Sequence, residues 1–240
     1  MEIYFILLLL SIVQSLFGVG ILLFGTPLLL GLGVPYQEAL LYLLPASAAL
    51  SWSQVKDYKN VQLDGGYRRR FFFLCLPALL LGMLFTTNFN LNWELRFLVT
   101  LMLSLAFIVR TSVYLREKLQ HLISLHLNWA LIVTGFIHGF SNMGGSILAP
   151  MVSSLYKEKT KVLAGISFDY AFMATLQLIV MIFINGESFH FKYQIGAFIS
   201  LSVRYLIGKR VFAFTTELSY QRLLNGFILA NAILLGIHLW

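Results

Sequence analysis

Two stretches of the chain carry one pattern about half the chain apart: FGVGILLFGTP at residues 17–27 and FSNMGGSILAP at residues 140–150. Each opens on a phenylalanine (Phe17, Phe140), passes through glycines and small residues, and closes on a proline (Pro27, Pro150) at the same offset. Both lie inside long apolar segments, so the pattern predicts a duplicated helical unit rather than two unrelated loops. In membrane carriers, apolar segments interrupted by Gly and Pro at corresponding places in two halves mark the substrate position.

Composition says which solvent the unit is built for. Of 240 residues, 59% are hydrophobic and 11% charged, against about 25% charged in soluble domains. The charges are bunched between apolar runs, as in a polytopic helical membrane protein. The runs lack period-two alternation and are too long for barrel strands. A net charge of +7 fits the excess of Lys and Arg in cytoplasmic loops, and no nucleic-acid partner is expected. Cys75 is the sole cysteine, which excludes an intrachain disulfide and a cysteine metal cluster; it reads as a packing residue. Glu2 stands where a signal peptide would carry a basic residue, so the apolar start is expected to be retained.

The apolar runs are 3–16, 19–33, 36–54, 71–87, 95–115, 127–141, 145–156, 160–184, 192–208 and 218–239. The runs from 36 to 115 and from 160 to 239 predict six spanning helices. The remaining four form two pairs of short segments, each interrupted at its glycine cluster. A single helix over residues 3–33 would be ~46 Å long, more than the ~30 Å hydrocarbon core, so each pair must break.

Charge decides how. If each pair is a hairpin that enters and leaves on one side, every Lys and Arg except Arg96 and Lys192 falls on one face of the membrane. That asymmetry makes this face cytoplasmic and puts both termini outside. Hairpin 3–33 then enters from outside and hairpin 127–156 from inside, each followed by three spans. The expected fold is an all-α polytopic membrane protein of two inverted repeats, 1–120 and 121–240, in one integral domain. Two short crossings in place of each re-entrant hairpin give the same parity. Trp93 and Trp240 fall at the expected outer interface and Trp52 and Trp129 near the inner one. The stretches 56–70 and 116–126 are the longest polar ones, and the first reads as a cytoplasmic loop with Arg68, Arg69 and Arg70 at headgroup level.

A broken hairpin starts its second half-helix near mid-membrane, where the first N–H groups have no internal partner and suit an anion. The expected substrate contacts are Gln14, Ser15, Gly18, Gly20 and Ser47 in the first half. In the second they are His138, Ser141, Asn142, Gly144, Gly145 and Ser146. The alternative for the glycines is close helix packing. For the polar side chains it is satisfying backbone groups freed at the break. No Lys or Arg lies within either hairpin, so a full positive charge at the site must come from elsewhere. Asp169 is the one carboxylate well inside an expected span, and Ser47 holds the nearest equivalent position. An intramembrane acid is a functional candidate. Asp169 is expected to carry a coupling proton or to orient His138, itself a candidate proton carrier; the alternative is a structural bond to Ser or Tyr. Arg110 and Arg204, near the cytoplasmic ends of their helices, read as snorkelling residues.

The paired motifs resemble the TauE/SafE (TSUP) family of sulfite and organosulfur-anion exporters. Phe17, Gly18, Gly20, Leu22, Leu23, Pro27, Leu29, Leu30 and Gly33 carry the likeness in the first copy, and Phe140, Gly144, Gly145 and Pro150 in the second. Ile21 stands where the family's glycine run would continue. The resemblance spans both halves and implies a multi-pass transporter of the cell membrane, in bacteria the inner membrane, moving sulfite, thiosulfate or sulfonates. The chain has no Walker loop and no GxSxG or HExxH motif, so neither ATP hydrolysis nor an enzyme is expected, and no cofactor or metal. The partners expected are a small anion and the lipid bilayer, with a homo-oligomer left open. An anion channel and a non-transporting assembly or sensing factor are the competing readings.

Overall fold

The computed structural model describes residues 2–88, 108, 112–156, 158–184, 190–216 and 219. Among the described residues there are helices and no strand. Most of the runs 95–115 and 218–239, and with them Arg96, Arg110, Trp93 and Trp240, lie outside the described residues.

Both short pairs form as two helices around a break. The first pair is α1 (Glu2–Phe17) and α2 (Ile21–Gly31). One residue in the left-handed region ends α1: Gly18 has φ 73, and its N–H closes the last turn on the Gln14 carbonyl at 2.9 Å. The second pair ends its first helix by the same device, with Asn142 at φ 62 and its N–H on the His138 carbonyl at 2.8 Å. Glycine and, after it, asparagine are the residues that adopt this conformation at least cost. Pro27 and Pro150 sit inside the second helix of each pair without ending it.

Helix α1 has 16 residues and α2 has 11, about 24 and 17 Å, so neither crosses a ~30 Å core alone. The pair folds back on itself. A Cβ added at Gly25 of α2 would lie 2.5 Å from Leu43 and 3.1 Å from Leu10 of α1.

After the first pair come α3 (Tyr36–Asp57) and a continuous helix of three pieces: α4 (Gly65–Arg70), a π-helical turn (Phe71–Cys75) and α5 (Leu76–Asn88). Then come α6 (Val113–Leu125), the second pair α7 (Leu127–Ser141) and α8 (Gly145–Leu155), and α9 (Lys159–Ile184). The last described span joins α10 (Ile195–Val203), a second π-helical turn (Arg204–Gly208) and α11 (Lys209–Phe214). Gly65–Thr86 and Lys159–Ile184 are long and apolar enough to cross a membrane. Helix α3 has the length, 22 residues, but carries more polar side chains.

The polar stretch 56–70, expected as a loop, is partly helical. Asp64 accepts from the N–H groups of Gly66 (3.2 Å) and Tyr67 (2.9 Å), capping α4 so that Arg68, Arg69 and Arg70 lie on a helix. Arg68 sits over the Phe168 ring, 4.6 Å from its centroid. Ser112 caps α6 through the Leu115 N–H, and most of residues 116–126 belongs to that helix.

Packing is crosswise. Helices α3 and α9, one from each half, lie side by side; α5 runs along α7, and α10 along α1. The α5–α7 contact is a close backbone approach. A Cβ at Gly135 or Gly139 would strike the carbonyls of Cys75 or Leu79, and one at Gly82 that of Phe136. Gly135 and Gly139 form a GxxxG step, a spacing that lets membrane helices touch. Large apolar side chains such as Phe73, Phe183 and Phe198 point outward from these helices, the reverse of a water-facing surface.

Candidate functional site

Gln14, fully buried on α1, turns its carboxamide across the first break. Its Oε1 accepts from the N–H of Ile21, the first residue of α2, at 2.9 Å. Its Nε2 donates to Ser51 Oγ (3.0 Å), Ser47 Oγ (3.1 Å) and the Ser47 carbonyl (3.2 Å). Gln54 serves the other side of the break: its Nε2 donates to the carbonyls of Gln14 (3.1 Å) and Ser15 (3.2 Å), and its Oε1 accepts from Ser167 of α9 (3.1 Å). A Cβ at Gly20 would lie 2.7 Å from the Gln14 nitrogen. Gln14, Gly20 and Ser47 are thus engaged with the protein itself, which is what keeps a broken helix tolerable in an apolar interior.

The second break is built differently. Asn142 donates to Thr26 Oγ1 of α2 at 3.1 Å and accepts from Gln177 at 2.9 Å, so the two hairpins meet here. The Ser141 hydroxyl donates to the Ile137 carbonyl and that of Ser146 to the Met143 carbonyl. Other polar atoms here have no such bond. His138 Nδ1 and Nε2, Thr134 Oγ1, Tyr170 Oη and Gln177 Oε1 are buried without a hydrogen-bond partner among the described residues. Tyr170 Oη lies directly against Gly145, where any Cβ would collide with it, and the His138 ring sits edge-on to the Tyr170 ring at 5.3 Å. Gly144 is held over His138 and Thr134. The start of α8 is therefore surrounded by unused donors and acceptors.

Asp169 is fully buried. One carboxyl oxygen accepts from the Tyr67 hydroxyl and the other, Oδ1, has no partner among the described residues. Its bonded partner is Tyr67 and not His138.

Arg204 departs from the snorkelling expectation. It is 1% exposed and turns inward. Nη1 donates to the Ser15 carbonyl at 3.1 Å, and Nη2 to Asp57 Oδ2 at 2.9 Å. Lys209 Nζ holds Asp57 Oδ1 at 2.7 Å. Asp57 ends α3 beside this helix, so the carboxylate offers the guanidinium a better partner than lipid headgroups do. The guanidinium thus reaches the first break from a helix of the second half. Ser15 Oγ, by contrast, has no partner among the described residues.

Sequence reading missed Gln54, Tyr170, Thr134, Gln177 and Tyr67. Polar residues spaced along apolar helices were the available signal, but which of them converge depends on neighbours in space.

Broken helical pairs that meet around buried, partly unpartnered polar groups, within an apolar exterior, are compatible with a helical membrane protein. The chain belongs to the TauE/SafE sulfite exporter family: the family model matches residues 3–236, nearly the whole sequence, and the family is one of membrane transporters. Neither a curated protein nor a solved structure matches the chain.

Proposed function

We propose that the chain exports small sulfur-containing oxyanions, of the sulfite, thiosulfate or sulfonate class, across the cell membrane as a multi-pass carrier. The anion binds at the start of α8. The observation that carries this reading is the buried Tyr170 hydroxyl, unpartnered among the described residues and pressed against Gly145 at the positive end of α8. His138 and Thr134 line the same end. Gly144 and Gly145 keep side chains out of the anion's way. At the first break Gln14 already occupies the corresponding position, so the anion site is asymmetric.

The crosswise contacts of α5 with α7 and α10 with α1 support two inverted repeats, with alternating access by movement of one half against the other. Asp169, bonded to Tyr67 through one oxygen and with the other unpartnered among the described residues, is the proposed proton carrier. The test is uptake of radiolabelled sulfite, thiosulfate and sulfoacetate into proteoliposomes, with and without a pH gradient. Saturable flux of one of them, whose gradient dependence disappears in Asp169→Asn, supports a proton-coupled carrier. Flux linear in concentration points to a channel. No flux with correctly folded protein removes the substrate assignment.

A further inference from the structure

Two of the apolar spans run side by side in the same direction and in register. The Arg68 guanidinium lies 4.6 Å from the centroid of the Phe168 ring of α9, and the Phe72 ring lies 4.8 Å from that of Phe172. On both helices the second contact follows the first by about one turn. Arg68, Arg69 and Arg70 stand near the start of the span Gly65–Thr86, at its headgroup end. All three are exposed, and among the described residues no acid pairs with them. Asp64, at the start of the same helix, spends its carboxylate on the N–H groups of Gly66 and Tyr67. Stacking on Phe168 orients the Arg68 plane and leaves its N–H edges open, and such an edge takes a phosphate with two parallel hydrogen bonds.

Inward from Arg68, one face of α9 is apolar. Phe168, Phe172, Thr175, Ile179 and Ile182 follow at steps of three or four and share a stripe. Phe172 is half-buried, and Ile179 and Ile182 are exposed. From Phe168 to Ile182 the stripe runs ~21 Å, longer than the ~15 Å that one leaflet contributes to the hydrocarbon core. Trp52 of α3 edges it. The indole ring lies 5.1 Å from that of Phe172, and its Nε1 donates to the Thr175 hydroxyl at 2.9 Å. Its N–H is thus satisfied by the protein, while 40% of the residue stays exposed beside the stripe.

A cationic end and an apolar track longer than one leaflet match the two parts of a single lipid molecule. We propose that Arg68, with Arg69 and Arg70, and the α9 stripe bind one anionic glycerophospholipid, its phosphate on the arginines and an acyl chain along Phe172 and Trp52. This lipid site is independent of which anion the chain transports.

The test uses the full chain carrying Trp93→Phe, Trp129→Phe and Trp240→Phe, which leaves Trp52 as the one tryptophan. Phosphatidylglycerol with brominated acyl chains is added to the monodisperse protein in neutral detergent, where bromine quenches an indole that it touches. Saturable quenching at one lipid per chain is expected, at a concentration at least tenfold below that needed with brominated phosphatidylcholine. Arg68→Gln should raise the midpoint about fivefold, the scale of one cation near an anionic lipid surface. Lys118→Gln, at an exposed cation of α6, should leave it unchanged. Equal quenching by the two lipids means a non-selective lipid shell and overturns the site. Equal effects of Arg68→Gln and Lys118→Gln reduce the preference to overall charge and overturn it as well. Protection by soluble glycerol phosphate would make the arginines a site for free phosphate, and no quenching by either lipid would mean that a second copy of the chain covers the stripe; both results overturn the lipid assignment. Native mass spectrometry of the unaltered chain, counting retained phosphatidylglycerol against phosphatidylcholine, reads the same preference should the tryptophan variant fail to fold.

Discussion

Buried polar side chains in this protein fall into two kinds, and the difference predicts what their removal does. Gln14 bonds to Ile21, Ser47 and Ser51; Gln14→Ala leaves several of these groups buried and unpaired, at about 1–3 kcal/mol for each. Its expected effect is a lowered thermal midpoint in detergent, with transport falling alongside. Tyr170 has a hydroxyl with no bond to lose among the described residues. Tyr170→Phe is therefore expected to leave the thermal midpoint unchanged while raising the sulfite Kd tenfold or more, the scale of one hydrogen bond to a charged group. Loss of stability in Tyr170→Phe with unaltered Kd would remove the hydroxyl from the anion site. Asn142 separates backbone from side chain: Asn142→Gly keeps the left-handed turn and loses only the bonds to Thr26 and Gln177. Asn142→Ala also meets the left-handed penalty of about 1 kcal/mol or more, so the alanine variant should be the less stable of the two.

At the scale of elements, the breaks and most helix bounds are legible in the amino-acid pattern. Runs 3–16, 127–141 and 160–184 coincide within a residue or two with α1, α7 and α9, because glycine and proline interrupt hydrophobicity in a way that survives folding. What the helices use their polar groups for is not legible there. Whether Gln14 caps α2 or faces a ligand depends on α3 lying alongside, and whether Arg204 snorkels depends on Asp57 being close; both are facts of tertiary neighbourhood. The α5–α7 contact is the intermediate case, since GxxxG at Gly135 and Gly139 is visible in the sequence but its partner is not. Gly139→Leu is expected to force these helices apart and to destabilise by about 3 kcal/mol or more, as overpacking against backbone that cannot yield. The readout is loss of the monodisperse peak in gel filtration. Gly31, with nothing within 4 Å of an added Cβ, is the control: Gly31→Ala should fold normally.

For the whole molecule, crosswise packing makes each half incomplete without the other. Helix α5 packs on α7 and α10 on α1, so the fragments 1–120 and 121–240 expressed apart should each be unstable, and co-expression should restore the fold. Topology has its own test. In a Cys75→Ala background, single cysteines at Lys59 and at His190 should label with membrane-impermeant maleimide from opposite faces in the inverted arrangement. Labelling from the same face would exclude it.

On the proposed function, the Gln14 carboxamide is a tethered stand-in for cargo: a planar oxygen resting on the first N–H of α2, the place a free oxyanion takes at the other break. Of the two breaks, the first has its leading N–H taken by the chain's own amide. On the proposed function, the expected stoichiometry at the helix ends is therefore one anion per chain rather than two, a number that equilibrium binding to purified protein reads directly.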